Sequence, residues 1–194
     1  MIRITDRKNK QQIVGLLARA FDTNISVNKA VKQDRKRVTR IHRLMEYTFE
    51  MCLLNGEIFI SNDKKVVVLF LNRRHTKTTF HTIWIDLKLS LGAIGISRTS
   101  KVLKKENAIK KLYPQNDFMY LWYIGVDPEH QGKGAGCALM QEITALADER
   151  KQDIYLETSI ENNLSFYSQC GFHVYTELEF DFRLYCLRRE CKCL

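Results

Sequence analysis

Gln131, Gly132, Lys133, Gly134, Ala135 and Gly136 have the composition of an anion cradle. They separate an apolar run, Tyr120 to Val126, from a stretch with helical periodicity, Cys137 to Lys151. A glycine-dense turn between strand and helix exposes consecutive backbone N–H groups at a helix N-terminus, where unpaired donors and the helix dipole together favour negative charge. The default ligand is a phosphate. Spacing then excludes two familiar nucleotide templates. A Walker loop follows its Gly-Lys pair with a hydroxyl residue, whereas Gly134 follows Lys133 here; a dinucleotide fingerprint begun at Gly132 or Gly134 would need a small residue at Cys137 or Leu139.

Further along, a second group of residues has types suited to proton transfer. Leu156-Glu157-Thr158-Ser159 is followed by Asn163-Leu164-Ser165-Phe166-Tyr167 and then by Gly171-Phe172. A carboxylate at the end of a strand can take a proton, and a phenol on a short helix can give one. Glu157 could equally serve as an ion-pair or capping residue, and Tyr167 as a packing aromatic. Taken together, Gly125-Val126-Asp127-Pro128, the turn Gln131-Gly132-Lys133-Gly134 and the later Asn-Leu-x-Phe-Tyr before Gly-Phe resemble the GCN5-related N-acetyltransferases (GNAT family), most closely in motif the puromycin N-acetyltransferase-like branch. The resemblance covers Tyr120 to Val174; residues 1–117 share only helical organisation with it.

That resemblance implies an α/β (α+β) fold with a mixed, mostly antiparallel central sheet, helices on both faces, and a splayed strand pair that binds acetyl-CoA. It implies a single domain over residues 1–194, in which 1–117 form the acceptor side and 118–194 the acetyl-CoA-binding and catalytic part. The N–H groups of Gln131, Gly132, Lys133, Gly134, Ala135 and Gly136 would hold the pyrophosphate. Backbone groups of Ile124 and Val126 would pair with the pantetheine amides as an added strand does, and Asn163 would contact the arm. Lys133 would reach a phosphate or face solvent. In the implied reaction an acceptor amine attacks the thioester directly, an N–H near Val126 holds the oxyanion, Tyr167 is the general acid and Glu157 a candidate base. No metal is implied.

Tyr120 and Trp122 share one face of their strand and are candidates for the acceptor pocket or for the core. His75, His81 and Asp86 lie in the acceptor half without a motif. Cys137 and Cys170 flank the motifs, but no histidine partner stands at a recognisable place, so no covalent nucleophile is assigned.

The elements that must position these residues follow from periodicity. Met1 to Thr5 alternates as a first strand. Lys8 to Ala20, with Asp6 as its cap, repeats apolar residues at helical spacing, as does Asp34 to Leu54, where Val38, Ile41, Met45, Phe49 and Leu53 mark one face. Glu57 to Ser61 and Lys65 to Leu71 are β-rich runs around the turn Asn62-Asp63-Lys64. Asn72 to Thr78 is a polar loop. Helical stretches over Phe80 to Gly92 and Ser97 to Leu112 follow. Then come a strand, Phe118 to Val126, the glycine turn, a helix, a strand over Ile154 to Thr158, a short helix over Leu164 to Cys170, and a terminal β-pair, Phe172 to Thr176 with Phe182 to Leu187.

Composition sets the outer limits. In 194 residues, 45% hydrophobic, 10% aromatic and 27% charged with only 2 Pro, there is material for a substantial core. The six cysteines show no metal-ligand spacing, and Met1 to Ile13 lacks an apolar signal core, so a reduced, cytoplasmic protein is expected. The most apolar window, Phe80 to Ile96, holds His81, Asp86 and Lys88 and is too short and polar to span a bilayer. The net charge of +9 divides into +14 over residues 1–117 and −5 over 118–194. This basic half is scattered and not interleaved with aromatics, which disfavours nucleic acid as a partner. The expected partners are acetyl-CoA and a small-molecule amine. A protein or peptide N-acetyltransferase, a non-catalytic CoA-binding module and a nucleic-acid-binding module are the alternatives. A homodimer is allowed by the sequence and not specified by it.

Overall fold

The computed structural model describes residues 1–73, 93–94 and 96–192. Seven strands form one sheet: β1 (Ile2–Ile4), β2 (Gly56–Ile60), β3 (Val66–Leu71), β4 (Phe118–Val126), β5 (Asp153–Thr158), β6 (His173–Glu179) and β7 (Arg183–Arg189). Their order is β1-β2-β3-β4-β5-β7-β6, and every neighbouring pair is antiparallel except β4 and β5. The run Val66 to Leu71 is buried at all six positions, as a central strand covered on both faces requires. Its hairpin with β2 turns on Lys64 at φ 60°, and Ser61 Oγ accepts from the amides of Lys65 and Val66.

Six α-helices among the described residues cover the sheet. On one face, α1 (Lys10–Ala20) and α3 (Arg37–Asn55) bury Ile13, Leu16, Leu17, Ile41, Met45 and Phe49 against Ile58, Val67 and Leu69. The short α2 (Ile25–Ala30) and α4 (Ile96–Lys110) contact each other and are joined to this side by polar bonds. On the other face, α5 (Ala135–Glu149) and α6 (Asn163–Gln169) contribute Leu139, Met140, Ile143 and Tyr167, which meet Val66, Val68, Met119 and Leu156. The two-residue alternation of β3 thus feeds two cores.

Several edges differ from the periodicity. Asp6 caps the turn before α1, accepting from the Lys8 amide, while the helix itself starts after Asn9. Past α1, Phe21 to Asn24 lead into a further helix, α2, that the periodicity does not mark, and Asn24 caps it by accepting at Oδ1 from the Val27 amide. Val38 is 66% exposed instead of lying on the apolar face of α3, since the first turn of that helix projects past the core. The expected helix over Phe80 to Gly92, with His81 and Asp86, and His75 in the preceding loop lie outside the described residues.

The only parallel pairing among the described residues is short. Phe118, Met119 and Tyr120 pair with Asp153, Ile154 and Tyr155, after which β4 stays with β3 and β5 with β7, so the sheet opens between β4 and β5. A bulge accompanies the opening: Leu69 faces Tyr123 and Phe70 faces Leu121, leaving Trp122 unopposed. An inserted residue turns the following side chain to the other face. Trp122 and Tyr123 both pack on the α1/α3 side as a result. Gly125 lets α1 approach β4 closely, because a Cβ there would meet Leu17 Cδ2 at 2.9 Å and Leu16 Cδ2 at 3.2 Å.

Candidate active site

One cavity of about 660 Å³ runs through the opening between β4 and β5. A volume of this order fits a small-molecule site. Its lining includes Ile124, Val126, Gln131, Gly132, Gly134, Ala135 and Gly136 toward one end, and Trp122, Tyr123, Glu157, Asn163 and Tyr167 elsewhere. Of the residues assigned from sequence, only Lys133 is absent from the wall.

The turn is shaped by its glycines. Gly132 and Gly134 stand at φ 72° and 81°, and Gly134 is the residue before α5, so the N–H groups of the first helical turn have no carbonyl four residues back within the helix. A Cβ at either glycine would meet no heavy atom within 4 Å, which leaves the surface over the turn open. The helix begins at Ala135, two residues before the periodicity expects. Lys133 Nζ donates to the carbonyl of Glu129 at 2.8 Å, folding back onto the turn that precedes it. Asp127 Oδ1 accepts from the Glu129 amide at 3.2 Å and its Oδ2 from Arg19 at 2.6 Å, which fixes the 3₁₀ turn Pro128–His130. Asp127, Glu129 and His130 present ligand atoms within 4.8 Å of one another, but the first of these carboxylates is already committed to capping and to Arg19.

The alternation of β4 decides which of its main-chain groups meet the opening. The Asp127 amide donates to Lys65 O at 2.8 Å, on the β3 side. Successive residues of a strand direct these groups to opposite edges. Ile124 and Val126 therefore present theirs to the opening, and Val126 O accepts there from Gln131 Nε2 at 3.2 Å.

The two ionisable candidates come from opposite faces of the sheet. Tyr167 belongs to the α5/α6 core, 6% exposed, with its ring between Phe166 and Phe172 at centroid distances of 5.1 and 5.8 Å. Burial pushes its phenol well above the ordinary range, so it stays protonated. Glu157 lies on the α1/α3 side and neither caps a helix nor pairs with a cation directly. Its Oε2 accepts from Tyr120 O–H at 2.6 Å, and its Oε1 is buried without a partner among the described residues. Burial raises its carboxyl to about 7, against the pull of the Tyr120 hydrogen bond and the Arg73 charge.

Behind Glu157 lies a polar cluster. Arg73, just past β3, donates to Glu106 Oε2 of α4 at 2.8 Å, and its guanidinium lies 4.4 Å from the centre of the Tyr120 ring. Tyr113 packs beside both, 5.4 Å from Tyr120 and 5.8 Å from the guanidinium. Sequence reasoning did not find Arg73, Glu106 or Tyr113, nor the wall residues Ser26 and Val27 of α2. The Ser26 amide donates to Ser159 Oγ at 3.3 Å and Lys105 Nζ to Ser26 Oγ at 3.2 Å, tying α2 to the end of β5 and to α4. Only the alternating register of β4, which puts Tyr120 and Trp122 on one face, hinted at this side.

Residues 102–174 match the family model described as Acetyltransferase (GNAT) domain. The fold is similar to that of a histone acetyltransferase HPA2 and related acetyltransferase from Corynebacterium glutamicum ATCC 13032, with TM-score 0.69, 15% identity, and 100% of this chain and 96% of that one covered. It is similar to the C-terminal condensation domain of Ebony in complex with beta-alanyl-dopamine, at TM-score 0.71, 9% identity and 97% of each chain. Arylalkylamine N-acetyltransferase 2 from Aedes aegypti aligns at TM-score 0.64 and 18% identity over 98% of this chain and 99% of that one. At these identities the likeness is one of fold. Residues 102–174 thus match an acetyltransferase (GNAT) domain, and the whole fold is similar to that of solved acetyltransferases. The match is to the domain in general and does not single out the puromycin-like branch. No helix among the described residues is long and apolar enough to cross a membrane.

Proposed function

We propose that this protein is a cytoplasmic acetyl-CoA-dependent N-acetyltransferase that acetylates the amine of a small molecule by direct attack. Residues 1–117 supply the acceptor side and 118–194 the donor side of one domain. The observation that carries the reading is the single cavity with two chemically distinct ends. One end is the open glycine turn; the other holds Glu157, the only acid among the described lining residues, which include no lysine or arginine. Phe21, Trp122 and Tyr123 are also in that wall, and Phe21 meets Tyr123 edge-on at 4.9 Å. A buried carboxylate with aromatic neighbours suits a cationic amine on an apolar body.

The proposed steps use the side chains where they stand. The turn holds the pyrophosphate of acetyl-CoA, Ile124 and Val126 pair with its pantetheine amides, and Asn163 contacts the arm. Glu157 takes the proton of the incoming amine, a role for which a pKa near the working pH is suited. The amine attacks the thioester carbonyl while an N–H near Val126 holds the oxyanion. Tyr167 gives a proton to the leaving sulfur. The test is release of free thiol from acetyl-CoA with a panel of aromatic and aliphatic primary amines, puromycin and simple polyamines, and peptides with free N-termini. Small amines should turn over, and Glu157→Gln should lower kcat by about 10²- to 10⁴-fold. Turnover of peptides alone would replace this reading with a protein N-acetyltransferase.

A further inference from the structure

Glu157 does not meet a cation directly, yet it is one of two carboxylates enclosed in the same region. Glu106, on α4, is the other. Between them stands one guanidinium, that of Arg73, whose side chain is 17% exposed. Nη1 is spent on Glu106, and the plane lies over the Tyr120 ring whose hydroxyl holds Glu157. Nε and Nη2 are shut off from solvent without partners among the described residues. A buried arginine with two idle donors costs stability that a hydrophobic residue would not. Its placement just past β3, stacked on Tyr120, which hydrogen-bonds Glu157, calls for a role in the site.

Resting on the function proposed above, we infer that Arg73 is a positioning residue of the acceptor side: it claims Glu106 in an ion pair and braces the Tyr120 ring, which fixes the hydroxyl that orients Glu157. The arrangement separates two neighbouring carboxylates into different tasks. Burial raises both, but at Glu106 the charge and hydrogen bond of Arg73 together with the Lys105 charge outweigh it and hold the carboxyl below its ordinary value, whereas at Glu157 burial wins. Two acids pushed apart by their surroundings are the physical pattern by which one stays charged and the other exchanges a proton near neutrality. The groups that face Glu157 are Tyr120 of β4, Tyr113 after α4, Arg73 after β3, Glu106 and Lys105 of α4, Tyr175 of β6 and Cys186 of β7. Arg73 meets both Tyr120 and Glu106.

The experiment compares wild type with Arg73→Met, Arg73→Lys and the double variant Arg73→Met/Glu106→Gln, the last sparing Glu106 an unpaired buried charge. Three quantities are read: acetyl-CoA affinity by calorimetry, the pH profile of kcat, and titration of the Glu157 side-chain carboxyl by ¹³C NMR, assigned with Glu157→Gln. Removing the guanidinium should move the carboxyl midpoint and the acidic limb of kcat together to higher pH, by about one unit, with acetyl-CoA affinity unchanged; Arg73→Lys should recover only part of the shift, because an ammonium keeps the charge but not the planar stack. A folded Arg73→Met variant that binds acetyl-CoA and leaves both midpoints at their wild-type values would overturn the role of Arg73; in the double variant the lost Glu106 charge offsets part of the shift, so it is compared with Glu106→Gln alone, and equal midpoints in those two would overturn the role as well. Wild-type turnover by Glu157→Gln would instead remove Glu157 as base, and the NMR midpoint would still report whether Arg73 controls that carboxyl.

Discussion

The two ends of the cavity are built by different means. At the proposed donor end the surface is main chain: consecutive amides on a turn whose two left-handed glycines and following helix set their direction. At the proposed acceptor end it is side chain. Arg73, Glu106, Tyr113, Tyr120 and Glu157 arrive from the end of β3, α4, the loop after it, β4 and β5, and converge by burial and hydrogen bonding. Main-chain recognition depends on a few contiguous residues and accepts any side chain that permits the backbone. A side-chain enclosure depends on every element that delivers a member, so it can be retuned to a new acceptor without touching the donor turn.

A large effect on kcat is expected where the two ends meet. Tyr167 comes from the α5/α6 face and Glu157 from the α1/α3 face, and both line the one cavity only because β4 and β5 part after Tyr120. If the phenol gives a proton to the leaving sulfur, Tyr167→Phe should lower kcat by about 10²- to 10³-fold. Its acetyl-CoA dissociation constant should be unchanged, since the ring between Phe166 and Phe172 keeps its packing. Wild-type rates of thiol release would reduce Tyr167 to a packing aromatic.

The same contrast explains what could be read from the chain alone. The turn, the strand before it and the later Asn163 and Tyr167 were legible because each is a local pattern: glycines at fixed offsets, an apolar run, an Asn and a Tyr on one short helix. The opening between β4 and β5 was implied by resemblance and is present in the register. The polar cluster was not legible. Arg73 sits in a charged loop and Glu106 in a lysine-rich helix, where local composition gives a solvated surface, and Tyr120 is 37 positions from the carboxylate it holds. Only sheet pairing, with Tyr120 opposite Tyr155, brings them together. The helix over Ile25 to Ala30 escaped because six residues are too few to show a period, and its cap, Asn24, also reads as a turn residue.

A buried acid kept for chemistry should cost stability, which gives the acceptor end a signature that the donor end lacks. The Glu157 carboxyl titrates at about 7 in the folded protein against 4.5 ordinarily, so the native state binds that proton more tightly than the unfolded chain. Its contribution is fully present below the unfolded value and is withdrawn as pH rises from about 4.5 through about 7. Glutamine cannot ionise. Glu157→Gln should therefore be more stable than wild type at pH 8, by roughly 3 kcal/mol, and should show no such gain at pH 4.5. Urea unfolding at the two pH values measures the difference. A pH-independent difference would mean that Glu157 does not ionise in its folded setting.

The donor end should fail in a different manner. At Gly134, φ is 81° and a Cβ would touch no protein atom, so a substitution there meets no clash. The cost is conformational: a β-branched residue held in the left-handed region is strained by roughly 1–2 kcal/mol. The turn can relieve that strain only by rotating away from the geometry that aims its amides outward. Gly134→Val should then weaken acetyl-CoA binding about tenfold, the equivalent of ~1.4 kcal/mol, while kcat at saturating donor and the acidic limb of its pH profile stay in place. Arg73→Met should do the reverse, moving the pH profile and sparing donor affinity. If Gly134→Val binds acetyl-CoA as tightly as wild type, the amides of this turn are not the pyrophosphate site. If it moves the pH profile as well, the two ends are coupled through β4, whose main chain faces the opening at Ile124 and Val126 and whose Tyr120 hydrogen-bonds Glu157.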